Sequence, residues 1–127
     1  MRDAGKPVPR SRRGKAAEEA AVRRLQDMGY QILTRNFRGR RGEIDVVARD
    51  GCCIAFVEVK ARRWVDDSMA AVDWRKRRRL VGAALEYLAI RRLSGVRVRF
   101  DVVAVGLDKN GAPDEIVVLK DAFGAKE

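Results

Sequence analysis

The chain of 127 residues contains no histidine. That absence removes Ser-His-Asp and Cys-His nucleophile pairs, histidine metal sites and any imidazole general base, so a catalyst built on this chain must use carboxylates, lysine or a metal. Cysteine is nearly absent too. Cys52 and Cys53 are adjacent, which suits neither an ordinary disulfide nor the paired C-x-x-C spacing of a zinc site; two small strand residues are expected there. No apolar run approaches the roughly 18 residues of a membrane span. The start of the chain, MRDAGKPVPRSRRGK, is basic but lacks an apolar stretch, so neither a secretory signal nor a membrane span is expected and the expected compartment is the cytoplasm.

What the chain does have is positive charge. Its 28 Lys and Arg residues against 18 Asp and Glu give a formal charge of +10, and 46% of residues are hydrophobic. This composition and length predict one small domain with a modest core and a polyanionic partner, either nucleic acid or an anionic membrane surface.

Residues 1–13 combine Gly5, Pro7, Pro9 and Ser11 with five basic residues and one acidic one. No apolar period runs through them, so they read as a flexible basic tail ahead of a single domain over 14–127. Ala17, Ala21, Leu25 and Met28 mark a helix from about Lys15 to Met28, with Gly29 at its stop. Strands are expected at Tyr30 to Phe37, Glu43 to Arg49 and Cys53 to Lys60; the short gaps between them imply an antiparallel meander. A long helix from about Asp73 to Leu93, with Asp73 as N-cap, leads to a strand over Val98 to Val105. Asn110-Gly111 then turns the chain into a strand over Ile116 to Leu119. A strand, a long helix and another apolar strand predict a crossover and a parallel pair, hence an α/β fold with a mixed central sheet flanked by helices.

The sharpest local pattern is Gly42-Glu43-Ile44-Asp45 followed, across Asp50-Gly51, by Val57-Glu58-Val59-Lys60. A turn centred near residues 51 and 52 puts Asp45 opposite or next to Glu58, and a slip of one residue would separate their faces. Glu58 and Lys60, two apart, share a face of an otherwise apolar strand. Burying such groups costs several kcal/mol unless they pair or bind a metal. Two carboxylates suit Mg²⁺ (or Mn²⁺) completed by water and phosphate oxygens, with Lys60 orienting or deprotonating an attacking water. The competing interpretation is a structural Asp45–Lys60–Glu58 ion cluster. Glu18 falls within about 40° of Val22 and about 20° of Leu25 on its helix, inside the apolar arc. It is expected either to complete the metal shell, directly or through water, or to serve as an acid stabilised by the helix dipole.

Positive charge gathers in two places. Arg75-Lys76-Arg77-Arg78-Arg79 opens the second helix, where the dipole disfavours it, so phosphate binding is expected with Lys76 nearest the reacting phosphate. Arg35, Arg38, Arg40 and Arg41 surround a hairpin tip. Trp64 and Trp74 bracket a charged loop and are read either as base-stacking rings or as packing against the second helix.

Glu18, Gly29-Tyr30, Arg35-Asn36, Gly42-Glu43-Ile44-Asp45, Phe56-Val57-Glu58-Val59-Lys60, Lys76, Arg79-Leu80 and Arg99-Phe100-Asp101-Val102-Val103 together resemble, in order and spacing, the YraN-like family of small bacterial proteins. The match spans about Gly14 to Phe123. The resemblance implies a restriction-endonuclease-like fold of the PD-(D/E)XK type, similar to archaeal Holliday junction resolvases. It makes Asp45 and Glu58 metal ligands, the Val59 carbonyl a further ligand, Lys60 the catalytic lysine and Glu18 the acid of the first helix.

The expected function is a metal-dependent DNA endonuclease that cuts branched or single-stranded DNA rather than a base sequence. Arg38, Arg40, Arg41, Arg62, Arg75, Lys76 and Arg79 are its expected nucleic-acid contacts, and the resemblance to resolvases implies a possible homodimer, of C2 symmetry if formed. The alternatives are a non-catalytic nucleic-acid-binding module that keeps the nuclease fold and a basic adaptor for a membrane surface or an acidic protein.

Overall fold

A computed structural model describes residues 10–124, apart from the side chains of residues 10–13 and Met69. Along the chain run α1 (Arg10–Asp27), β1 (Gln31–Arg38), β2 (Glu43–Asp50), β3 (Cys53–Arg62), α2 (Val65–Ala70), α3 (Trp74–Ile90), β4 (Arg97–Leu107) and β5 (Pro113–Phe123). Residues 1–9 of the expected tail lie outside the described residues. Its remaining four positions belong to α1, which starts about one turn before the expected Lys15.

The strands form one sheet in the order β1-β2-β3-β4-β5. The β3–β4 pair is parallel and the other three are antiparallel, as expected for a meander followed by a helical crossover. Helix α1 packs Ala17, Ala21, Val22 and Leu25 on one face of the sheet, against Val46, Ala48, Ala55, Val57, Val103 and Val105. On the opposite face α3 packs Leu80, Ala83, Ala84 and Tyr87 against Ile44, Val47, Ile54, Phe56, Phe100 and Val102. The sheet is thus buried on both sides, and β3 is apolar for that reason.

The helix ends follow local chemistry. Gly29, at φ +94°, closes α1, with Tyr30 N–H donating to the Leu25 carbonyl and Gly29 N–H to that of Gln26; the left-handed glycine satisfies carbonyls the helix leaves orphaned. Asp73 caps α3 as expected, accepting from the amides of Arg75 and Lys76 at 3.1 Å each. Helix α2 was not foreseen, because its six residues VDDSMA carry no apolar period. Gly51, at φ +61°, turns β2 into β3, with Cys52 in the turn and Cys53 opening the strand. Both thiols are free.

A candidate metal and phosphate site at the splayed end of the sheet

The β2–β3 ladder runs from Asp50–Cys53 to Val46–Val57 and stops there, while β3 stays paired to β4 through Arg62. Beyond Val57, β3 has therefore lost one neighbour and kept the other. The next pair in this register would be Asp45 opposite Glu58, as the turn chemistry predicted. Asp45 instead turns its carboxylate into the opening, and Oδ2 accepts the Val59 N–H at 2.7 Å. The side chain replaces the ladder acceptor that the departing strand no longer supplies. The N–H and C=O of one extended residue point the same way, so the Val59 carbonyl opens onto the same gap.

The departure of β2 coincides with an irregularity in β1. Asn36 of β1 lies at φ +55°, and the Asn36–Asp45 pair is missing from a ladder that holds on either side, at Arg35–Val46 and Phe37–Ile44. Ile44 and Val46, two apart, consequently reach opposite cores. Alternation breaks at Asp45, which frees its side chain for the end of the sheet.

Glu58 and Lys60 share the α3-facing side of β3, their charges 3.6 Å apart and each side chain 16% exposed. This is a long ion pair rather than a hydrogen bond. Burial, followed by the charge of Asp45, raises the Glu58 carboxyl to about 7. Burial also raises Asp45, against the opposing Val59 hydrogen bond. Lys76 is held below the ordinary lysine range, chiefly by its contact with Lys60. Two acids and two ammonium groups thus crowd one end of the sheet.

A cleft of about 590 Å³ opens here, lined by Ala17 and Glu18 of α1, Asp45, Val59 to Arg63, Lys76 and Leu107. Glu58 is not on its wall and is joined to it through Lys60. Glu18 is on the wall, half-buried as its place on the apolar arc predicted, but its Oε1 accepts from Arg35 at 3.2 Å and Asn36 at 3.0 Å. Among the described residues no three His, Cys, Asp or Glu side chains converge as a metal cluster. A cation here would draw on Asp45, Glu58 and the Val59 carbonyl. That donor set fits Mg²⁺ or Mn²⁺, which take few protein ligands beside water and phosphate, and Asp45 Oδ1 receives no hydrogen bond from the described residues.

The basic residues foreseen as nucleic-acid contacts fall into two groups. Arg62 and Lys76 line the cleft, while Arg75 stands beside Trp74. Arg38, Arg40, Arg41 and Arg79 gather where the β1–β2 hairpin tip lies on α3. There Glu86 accepts the amides of Arg40 and Arg41 at 2.9 and 2.8 Å. Gly42 sits on Arg79, and Gly82 leaves room for the Arg41 side chain. Arg38 makes a loose pair with Glu43 at 3.5 Å. Lys76 and Arg79 are one helical turn apart and connect the two groups along α3.

Sequence reasoning missed a second polar cluster. Asp101, fully buried, accepts from the Tyr30 hydroxyl, from Arg99 twice and from the Asp121 amide, all within 3.0 Å. Arg99 also holds Asp50 at 2.9 Å, and Lys120 completes the cluster. The Arg99 charge is stabilised chiefly by Asp101, and Tyr30 is pushed up by burial and by the same carboxylate. These saturated partners mark a clamp that joins the end of α1, β2, β4 and β5. Gly29-Tyr30 and Arg99-Phe100-Asp101 were among the motif residues, but nothing in their spacing joined them into a cluster.

The chain matches the profile described as "Uncharacterised protein family UPF0102" over residues 17–105. The protein belongs to the UPF0102 family. A UPF0102 protein of Moorella thermoacetica is 47% identical over 118 residues, covering 91% of this chain and 98% of that one. One from Syntrophus aciditrophicus is 46% identical, covering 88% of each chain. Another from Xanthomonas euvesicatoria is 42% identical over 126 residues, covering 95% and 98%. This is the family that the sequence motifs resembled, under its YraN-like name. Among the described residues of this UPF0102 protein, no helix is long and apolar enough to cross a membrane.

Proposed function

We propose that this UPF0102 protein is a metal-dependent DNA endonuclease, hydrolysing phosphodiester bonds in branched or otherwise irregular DNA rather than at a base sequence. The observation that carries the proposal is Asp45, turned into the opening where β2 leaves β3, beside the Glu58–Lys60 pair, with burial and then the Asp45 charge raising Glu58. A buried acid pair of this kind is costly unless a cation relieves it. When bound, a divalent cation supplies Lewis-acid activation of water and charge neutralisation at the phosphate.

The rest falls to the chain's own side chains. Asp45, fixed by the Val59 amide, and Glu58 would hold the cation. Lys60 leaves its long ion pair with Glu58 to orient the attacking water or take its proton. Lys76 and Arg62, on the cleft wall, bind the phosphates on either side. Shape rather than sequence is the expected determinant, because the positive groups near the cleft suit phosphates and a domain this small has little surface left for base edges.

A second reading, a nucleic-acid-binding module without turnover, draws on Glu18, which shares the cleft wall with Asp45 but has its Oε1 taken up by Arg35 and Asn36. One experiment separates the two. Labelled linear duplex, flap, single-stranded and four-way-junction DNA are incubated with wild type and Asp45→Asn in Mg²⁺, Mn²⁺ or EDTA. Cutting that needs metal and Asp45 supports the endonuclease. Binding without cutting by both proteins supports the module.

A further inference from the structure

The chain has two tryptophans, and the structure puts neither in the core. Trp64 is 60% exposed and Trp74 57%, although they are its largest apolar side chains. Of the two interpretations open from sequence, packing against the second expected helix does not bury either ring, and both keep most of their surface open. The rings stand at the two ends of the segment that joins the cleft lysines. Trp64 follows Arg62 and Arg63, which line the cleft, and Trp74 opens α3 two residues before Lys76.

Each ring is accompanied by guanidinium groups. The Arg63 guanidinium lies over the Trp64 ring at 4.1 Å, and its Nη1 donates to the Leu107 carbonyl on the cleft wall. Arg75 and Arg78 lie at 5.6 and 5.8 Å from the Trp74 ring. An exposed indole beside a fixed cation offers a flat face for stacking next to a charge for phosphate. This combination serves a nucleic-acid strand whose bases are unpaired, because bases stacked inside a duplex present no free face. An apolar protein partner would be poorly served by three arginines around two rings.

We infer that Trp64 and Trp74 form a stacking site for unpaired bases at the mouth of the cleft. This rests on the reading of the cleft as a nucleic-acid site and deepens it, since it names single-stranded character as the feature recognised. Neither tryptophan touches the acid pair, so both act in binding rather than in the chemistry.

The two indoles are also the chain's only tryptophan fluorophores, so emission reports on these positions alone. The full chain is titrated in EDTA, where metal-dependent cutting cannot occur, with oligothymidine, an abasic strand of equal length and a blunt duplex of equal length. Oligothymidine should quench the emission, and the abasic strand, with the same phosphates, should quench little. Trp64→Ala and Trp74→Ala should each weaken oligothymidine binding by about tenfold. They should leave abasic-strand binding unchanged, and Trp64→Phe should recover most of the loss. Circular dichroism checks that each variant is folded.

Equal quenching by the abasic strand, or unchanged oligothymidine affinity in both alanine variants, overturns the inference. An emission change that depends on protein concentration without DNA assigns the rings to self-association and overturns it as well. Failure of the endonuclease reading looks different: base-dependent quenching persists, and no metal supports cutting.

Discussion

The Val59 amide donates to Asp45 across 2.7 Å just past the last rung of the β2–β3 ladder, Val46–Val57, with Asp45 one residue beyond it and Val59 two. A single side chain thus does two jobs. It satisfies an amide stranded by the parting strands, and it sets a carboxylate on the cleft wall. Asp45→Asn keeps an oxygen acceptor for that amide and removes the charge. The variant should fold with stability within about 1 kcal/mol of wild type and lose metal-dependent cutting by at least 100-fold, measured by denaturant unfolding and a cleavage time course.

The Glu58 carboxyl gives the protein a pH signature. Its folded value, about 7, lies above the ordinary glutamate value of about 4.3, so in that window the native state binds more protons than the unfolded one. Stability should therefore fall as pH rises from about 4.5 to about 7 and level off above. Glu58→Gln removes the buried charge and should be more stable than wild type at pH 8, by on the order of 1–3 kcal/mol, with the advantage vanishing near pH 4. Urea denaturation across this range, without divalent metal, checks the sign.

Asn36 stands opposite Asp45 where the β1–β2 ladder lapses, and it is expected to set where Asp45 points. Asn36→Gly retains easy access to a positive φ and should keep most activity, although it loses the hydrogen bond to Glu18. Asn36→Val puts a β-branched residue at φ +55°, a strain of about 1–3 kcal/mol. It should restore alternation through Asp45 and lose cutting well beyond what its stability loss explains. Comparing thermal midpoints with cleavage rates for the two variants separates positioning from stability.

Asp101→Asn should do the reverse. Breaking the clamp among Tyr30, Arg99 and Asp121 should cost about 3 kcal/mol in chemical denaturation, because a partly buried guanidinium loses its main partner. Arg99 retains Asp50, which limits the loss. Below the melting temperature, Mn²⁺ affinity should match wild type, since none of these residues lines the cleft.

How far the sequence spoke depended on the range of the physics involved. The β2–β3 register was legible because Asp50-Gly51 is a local turn signal and strand pairing then follows by counting, which brought Asp45 beside Glu58. The Asp73 cap and the α1 stop at Gly29 were legible for the same reason. Glu18 was correctly placed on the buried arc, but its partners Arg35 and Asn36 come from another element, and helical geometry names no partner. The left-handed turn at Asn36 left no trace that a period of two could detect. The Asp101 clamp joins positions 30, 50, 99, 101 and 120, which only the fold brings together. Strand β5 runs 11 residues instead of the expected four because edge-strand residues such as Asp114, Glu115 and Lys120 carry little apolar signal.

The most direct test of the central claim is calorimetric titration of Mn²⁺ into wild type, Asp45→Asn and Glu58→Gln near pH 7, in two buffers of different ionisation enthalpy. If the acid pair is a cation site, wild type binds one Mn²⁺ with a heat that varies with buffer as the Glu58 proton is released, and each substitution weakens binding by at least tenfold. Equal Mn²⁺ affinity in all three proteins, or no binding by wild type with DNA present, would contradict the account and leave Asp45, Glu58 and Lys60 as a structural ion cluster.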